Sequence, residues 1–303
     1  MTAPAFTADL GNWSSAWIAH DPAVRAVITD GSQGIAKPTD RHAERYRDAM
    51  LQWIAHSSTL DWSGCGTKAQ WAMTNGIHDA LVQQVAHVHA KHTRLVAFRD
   101  DYRFYQDVLA PYPHTILTWD QLDHMPLGAY VLVSWPNHRG LLDHSLDQLI
   151  EVCRARDCRI FLDCAFYGTI AQGRCDTGDP VFDAVAFSVS KAFQAGSLRA
   201  GLVWGDDLAA TLTVPLRQEY LVYNANSART AAMLLENFAA DWVPKRYVPL
   251  QQEWCSEHGL LAADICMFAL DSSPAHAALR RDGSNHVRIC LSNWIAQKLY
   301  GAR

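Results

Sequence analysis

The strongest constraint on this chain is an alternation of short β-forming apolar runs with helical patterns through its middle. The runs are TRLVAF (93–98), YVLVSW (130–135), RIFLD (159–163), AVAFS (184–188) and GLVWG (201–205). Between the second and third, SLDQLIEVCRARD (145–157) repeats Leu146, Leu149, Ile150 and Cys153 at helical spacing. Ser145 precedes that pattern and is a residue type that caps helix N-termini. Buried strands separated by amphipathic helices predict an α/β fold: a three-layer αβα large domain with a mainly parallel sheet covered on both faces. Ligands of such sheets bind beyond the carboxyl ends of the strands. The residues at those ends are Asn137, Asp163 and the stretch Ser188 to Lys191, polar or ionisable after almost wholly apolar runs.

After about residue 215 the pattern changes. SARTAAMLLENFAADWV (227–243) reads as one helix, a mixed segment follows, and HVRICLS (286–292) reads as a strand. The expected division is a large domain over 50–215 and a smaller α+β domain built from 1–49 and 216–303. With 49% apolar and 19% charged residues the composition is that of a soluble, enzyme-like protein. A net charge of -5 and the lack of any long basic stretch argue against a nucleic-acid partner. The apolar runs are too short to cross a bilayer, and the first residues show no signal-peptide pattern. Eight cysteines without a CxxC pair read as reduced thiols, so the expected location is cytoplasmic.

The strand-end residues suggest one chemistry. A partly desolvated lysine forms Schiff bases with aldehydes, a carboxylate keeps a heteroaromatic nitrogen protonated, and an arginine fork grips phosphate. Lys191, Asp163 and Arg199, with Asn137, match the needs of pyridoxal 5′-phosphate (PLP), which has an aldehyde, a pyridine nitrogen and a phosphate.

SVSKAFQAGSLRAG (188–201) resembles the S-x-S-K-x-x-x-x-x-G/x-x-R-x-G box of the class I/II aminotransferases of PLP fold type I, the aspartate aminotransferase-like enzymes. SWPNHRG (134–140) resembles their N-P-x-N-P-T-G turn and FLDCAF (161–166) their D-x-x-Y strand end, in the same order. The resemblance is strongest from Met73 to Gly205. It implies that Lys191 forms the Schiff base with PLP and shuttles the Cα proton, while Asp163 pairs with the pyridinium nitrogen. It implies further that Asn137 bonds the ring's phenolate oxygen, and that Arg199, Ser188 and Ser190 bind the phosphate. TNGIHDAL (74–81) matches the turn that opens a phosphate-binding helix, with Gly76 and the N–H groups of Ile77 and His78 facing the phosphate. Tyr102 takes the place of the aromatic ring stacked on the cofactor. Arg288 matches the arginine that takes the substrate α-carboxylate, and GSQG (31–34) places Gly34, with Asn137, at the substrate.

Some positions depart from the family. Phe166 replaces a tyrosine, which costs one hydrogen bond to the phenolate oxygen unless Tyr167 supplies it, and His138 and Arg139 replace proline and threonine or serine. Trp53, Trp62 and Trp71 either line the region that selects the substrate side chain or, the simpler reading, pack in the core. GCGTKA (64–69) has the wrong order for a phosphate loop, and His87 and His89 point to different faces of a helix, so no metal is expected. The implied activity is transamination of an α-amino acid through the Lys191 Schiff base and a quinonoid, in a homodimer. β- or γ-elimination, replacement, cyclisation or oxidation on the same cofactor is the first rival, and a non-catalytic metabolite-binding module the second.

Overall fold

A computed structural model describes residues 21–34, 36–57, 59–91, 94–142, 145–216, 220–280 and 284–301. Helices α1 (Pro22–Gly31) and α2 (Asp40–Ala55) come first, then strands β1 (Leu60–Ser63) and β2 (Gln70–Thr74). The middle runs α3 (Ile77–Ala90), β3 (Arg94–Phe98), α4 (Arg103–Leu109), β4 (His114–Leu117), β5 (Ala129–Ser134), α5 (Ser145–Ala155) and β6 (Arg159–Asp163). Strands β7 (Gly173–Asp176), β8 (Phe182–Ser188) and β9 (Gly201–Gly205) follow, with α6 (Ala210–Thr213), α7 (Ala225–Asn237) and α8 (Trp242–His258) after them. Strands β10 (Leu261–Ala262), β11 (Phe268–Asp271) and β12 (Val287–Cys290) and helix α9 (Ser292–Tyr300) complete the order.

Seven strands form one sheet in the order β2-β9-β8-β6-β5-β3-β4. Only β9 runs against its neighbours, so the sheet is mainly parallel, as expected. Strand residues alternate between two apolar layers, because successive side chains leave opposite faces of a strand. Leu95, Ala97, Tyr130, Leu132 and Phe161 join Ala80, Leu81 and Val85 of α3 on one face. Val96, Phe98, Val131, Val133, Ile160 and Leu162 join Leu146, Leu149 and Cys153 of α5 on the other. This is the αβα sandwich that the continuous apolar runs predict.

The register sets Ser134 beside Asp163 and Asp163 beside Ala186, so the ends of β5, β6 and β8 reach one sheet edge together. The small antiparallel sheet β10-β11-β12 lies entirely in the last fifty residues of the chain.

The structure corrects three helix readings. The helix expected over 227–243 ends at Asn237, where Phe238 turns extended (φ -128°, ψ 119°). Its freed carbonyl accepts the Trp53 indole N–H at 2.8 Å in the core, a partner that local periodicity does not reveal. The mixed segment after it is the 17-residue helix α8, interrupted in sequence pattern by Pro244 and Pro249. Ser145, expected as an N-cap, belongs to α5 itself and its hydroxyl accepts from Arg139 at 3.2 Å.

Candidate active site

Asp163 closes β6 and is 3% exposed. Its Oδ2 accepts the Tyr105 hydroxyl at 2.8 Å and its Oδ1 the Ala165 N–H at 2.8 Å. Burial raises its pKa to about 6, against the lowering effects of those two bonds and of Lys191. Burial and the neighbouring carboxylate push the Tyr105 hydroxyl up, so it remains a donor. Lys191 lies in the turn just after β8, and its pKa is lowered to about 8, first by burial and then by Arg288. Burial that disfavours the ammonium makes the neutral form, the one that attacks carbonyls, more accessible than in an ordinary lysine.

Asn137 follows β5 and is 1% exposed. Its Oδ1 accepts the N–H groups of Arg139 (3.0 Å) and Leu141 (3.3 Å), which fixes the amide orientation. Among the described residues its Nδ2 is buried without a partner, a costly state that a ligand acceptor relieves.

The phosphate-type residues also come together. Arg199 sits in the left-handed region (φ 50°) and donates to the Asn75 carbonyl at 2.7 Å. Gly76 (φ 84°) heads α3, and a Cβ there would meet Arg199 Nη2 at 2.7 Å, so only glycine admits this guanidinium. Ile77 and His78 are the first two helical residues behind it, where N–H groups have no helical partner. Ser188 ends β8 opposite Gly201, and Ser190 lies in the Lys191 turn, its carbonyl accepting the Ala195 N–H at 3.1 Å. Burial, then Arg199 and Lys191, lowers the pKa of His78, which ties this imidazole to both cations.

Tyr102 precedes α4 as its N-cap. One aromatic neighbour is His138, parallel within 5° at 4.4 Å, and its hydroxyl pairs with His78 Nε2 at 2.8 Å. His138 also meets Phe166 edge-on at 5.0 Å, and Lys191 Nζ stands 5.6 Å over the Phe166 ring. Arg288 on β12 is 6% exposed and covers Phe268 at 4.2 Å. Its Nη1 donates to the His138 carbonyl at 2.6 Å, which brings the small sheet onto the Asn137 turn.

Most sequence-predicted residues therefore gather at one sheet edge. Gly34 stands apart: it is exposed, and its carbonyl accepts from Asn226 at 3.1 Å. Helix α7 links it to the Arg199 loop, since Ser227 of the same helix donates to the Leu198 carbonyl. Tyr167 does not supply the hydroxyl missing at Phe166. Its own hydroxyl turns to the Ile54 carbonyl at 3.3 Å while its ring packs on Trp53 and Trp62. Trp53 and Trp62 are core, as read from the sequence, whereas Trp71 is half-buried beneath Arg47 at the core's margin. The sequence reading missed Tyr105, Asp101 and the engagement of His138. Tyr105 had a signal, since it falls one helical turn after Tyr102.

Lys68 Nζ is buried against the Asp179 carbonyl (3.2 Å) and Asp206 (3.1 Å), and His87 faces Asp207 while His89 faces Tyr112. Among the described residues no three His, Cys, Asp or Glu side chains gather as a metal site, and no helix is long and apolar enough to cross a membrane.

No family model matches this chain, and no curated protein sequence matches it. Solved structures do. The PLP-bound C-S lyase from Staphylococcus hominis with the inhibitor L-cycloserine aligns with TM-score 0.71 at 12% identity, covering 94% of this chain and 89% of its own. An aromatic amino acid aminotransferase from Burkholderia cenocepacia aligns with TM-score 0.64 at 18% identity, covering 100% and 98%. A probable N-succinyldiaminopimelate aminotransferase from Thermus thermophilus aligns with TM-score 0.65 at 14% identity, covering 92% and 90%. The chain shares the fold of these proteins over nearly its whole length.

Proposed function

We propose that this protein is a PLP-dependent enzyme acting on an α-amino acid, and that its reaction is transamination. The observation that carries the reading is the orphaned, buried Asn137 Nδ2 at the same sheet edge as the buried Asp163 carboxylate and the desolvated Lys191 amine. An apolar site without a ligand has no use for that set, whereas the ring oxygen, ring nitrogen and aldehyde of PLP use one group each. The Gly76–Arg199 cradle suits the phosphate in the same way. The fold shared with PLP-bound enzymes supports the assignment.

When bound, PLP supplies an aldehyde for condensation with amines and an electron sink for the pair left at the substrate Cα. The residues of the chain do the rest. Lys191, largely buried and beside Arg288, offers a neutral Nζ to the aldehyde and afterwards takes and returns the Cα proton. Asp163, oriented by Tyr105 and Ala165, holds a proton on the ring nitrogen. Asn137 Nδ2 donates to the ring oxygen, and Arg199 with the N–H groups of Ile77 and His78 and the hydroxyls of Ser188 and Ser190 binds phosphate. Tyr102 gives a flat face for the ring. Arg288 takes the substrate carboxylate, with Asn137 completing the substrate side, while Gly34, exposed and bonded to Asn226, has no part in it.

Phe166 favours a second reading on the same cofactor: elimination, replacement, cyclisation or oxidation. With no hydroxyl at Phe166, and Tyr167 turned to Ile54, one donor to the ring oxygen is missing. We propose a homodimer in either case, on the resemblance alone. The test is the visible absorption spectrum with added PLP, followed through additions of single amino acids. A bound-cofactor band that converts to the pyridoxamine form with release of keto acid supports transamination. Release of ammonia without that conversion supports the second reading. Lys191→Ala must abolish the band, and its persistence there overturns the assignment.

A further inference from the structure

Asp101 is 3% exposed, lies between the cofactor-side residues, and has no part in the chemistry above. Its carboxylate collects three hydrogen bonds. Oδ1 accepts the Tyr102 N–H at 2.7 Å and the Ser134 hydroxyl, and Oδ2 accepts the Ser134 N–H at 2.9 Å. The Ser134 hydroxyl in turn accepts the His138 N–H at 3.1 Å. One carboxylate thus joins two segments: the backbone that carries Tyr102, and the end of β5 with the Asn137–His138 turn behind it.

The sheet explains why a side chain is needed. The last registered pair of β3 and β5 is Ala97 with Leu132, so Ser134 runs on past β3. Asp101 stands where β3 has already turned away, its own N–H bonded to the Phe98 carbonyl at 3.4 Å, and its carboxylate takes the Ser134 N–H. Ser134 is also the register partner of Asp163, so the same bonds fix the strand end beside that carboxylate.

We infer that Asp101 is a positioning residue for the cofactor slot: it locks the Tyr102 face and the Asn137–His138 turn at a set separation. This rests on the PLP reading above. Three donors converge on the two oxygens of Asp101, an arrangement that an amide, with one oxygen and one NH2, does not match. In Asp101→Asn one position becomes an NH2 facing an N–H, so one segment must shift. Ser134→Ala removes only the hydroxyl link and leaves the Ser134 backbone bond in place.

The experiment measures PLP dissociation constants by quenching of tryptophan fluorescence, with visible circular dichroism of the bound cofactor, on the full chain. Wild type is measured first. If it binds no PLP, the cofactor reading and this inference fall together. With wild type binding, Asp101→Asn is expected to weaken PLP by about ten-fold or more, and Ser134→Ala by about three- to ten-fold. Both must change the visible dichroism, which reports the ring's surroundings and which a loss of overall stability alone does not alter. The double variant is expected to be no weaker than Asp101→Asn, because the two groups act as one unit. Wild-type affinity and dichroism in Ser134→Ala, or additive losses in the double variant, overturn the inference and leave the PLP reading standing. Should Asp101→Asn fail to fold, Ser134→Ala decides alone on the same two readouts.

Discussion

The Tyr105 hydroxyl donates to Asp163 Oδ2 across 2.8 Å, with both residues buried. This bond, together with Ala165 N–H, opposes the desolvation that raises Asp163 to about 6. Tyr105→Phe leaves the carboxylate a single protein donor. Without that donor the Asp163 pKa should rise further and less of it is ionised at neutral pH, so its pairing with the ring nitrogen, and with it PLP affinity, should weaken. Equilibrium titration of the variant checks this, and unchanged affinity refutes the role given to Tyr105.

Lys191 should react according to its lowered pKa. In the cofactor-free protein, its condensation with PLP, trapped by borohydride and located by mass spectrometry, should speed up with pH and level off above about 8. Arg288 is the second cause of that lowering. Arg288→Gln should therefore move the midpoint upward, and a midpoint that stays in place rules out the electrostatic contact.

Buried carboxylates set a pH dependence of stability. Burial raises Asp163 to about 6 and Asp101 to about 7, whereas an exposed aspartate titrates near about 3.9. Between those values the folded protein keeps a proton that the unfolded chain has released. The associated stability is fully present below pH ~4 and is lost as pH rises through about 6 for Asp163 and about 7 for Asp101. For Asp163 the rise from about 3.9 to about 6 corresponds to about 3 kcal/mol. Urea unfolding of the cofactor-free protein should show wild type losing roughly that much relative to Asp163→Asn as pH rises from 4 to 8. A difference independent of pH contradicts the burial effect.

Gly76→Ala tests the phosphate cradle. The added Cβ would stand 2.7 Å from Arg199 Nη2 at a backbone φ of 84°, so the guanidinium must leave its place. Affinity for PLP should fall by about ten-fold or more, while that for pyridoxal, which lacks the phosphate, should change little. Adding Arg199→Ala should cost nothing further. Equal losses for both ligands place the effect elsewhere.

Much of the sheet was legible because strand propensity and burial are local: the runs at 130–135, 159–163, 184–188 and 201–205 all form strands within a residue or two of their limits. The break of α7 at Phe238 was not, since it depends on an indole from Trp53, far away in the chain. Asp163, Lys191 and Asn137 were legible as polar residues just after apolar runs, and Arg199 through its spacing from Lys191 within SVSKAFQAGSLRAG. Asp101 carried no such mark, because an aspartate in a turn before a helix is ordinary unless its carboxylate is seen against Ser134.

By itself the sequence determined the alternation of strands and helices through the middle of the chain and which ionisable groups stand at strand ends, because each of these follows from neighbours a few residues apart. The tertiary structure alone decided what those groups meet. Sheet order departs from chain order, with β9 between β2 and β8 and β6 between β8 and β5. Arg288 therefore reaches the carbonyl of His138, 150 residues earlier in the chain, and His138 lies flat on Tyr102. Tyr105 finds Asp163 across two strands, while Tyr167, next to Phe166, turns into the core. Side-chain partners depend on distances across the sheet, and those are set only once the strands are stacked in this order.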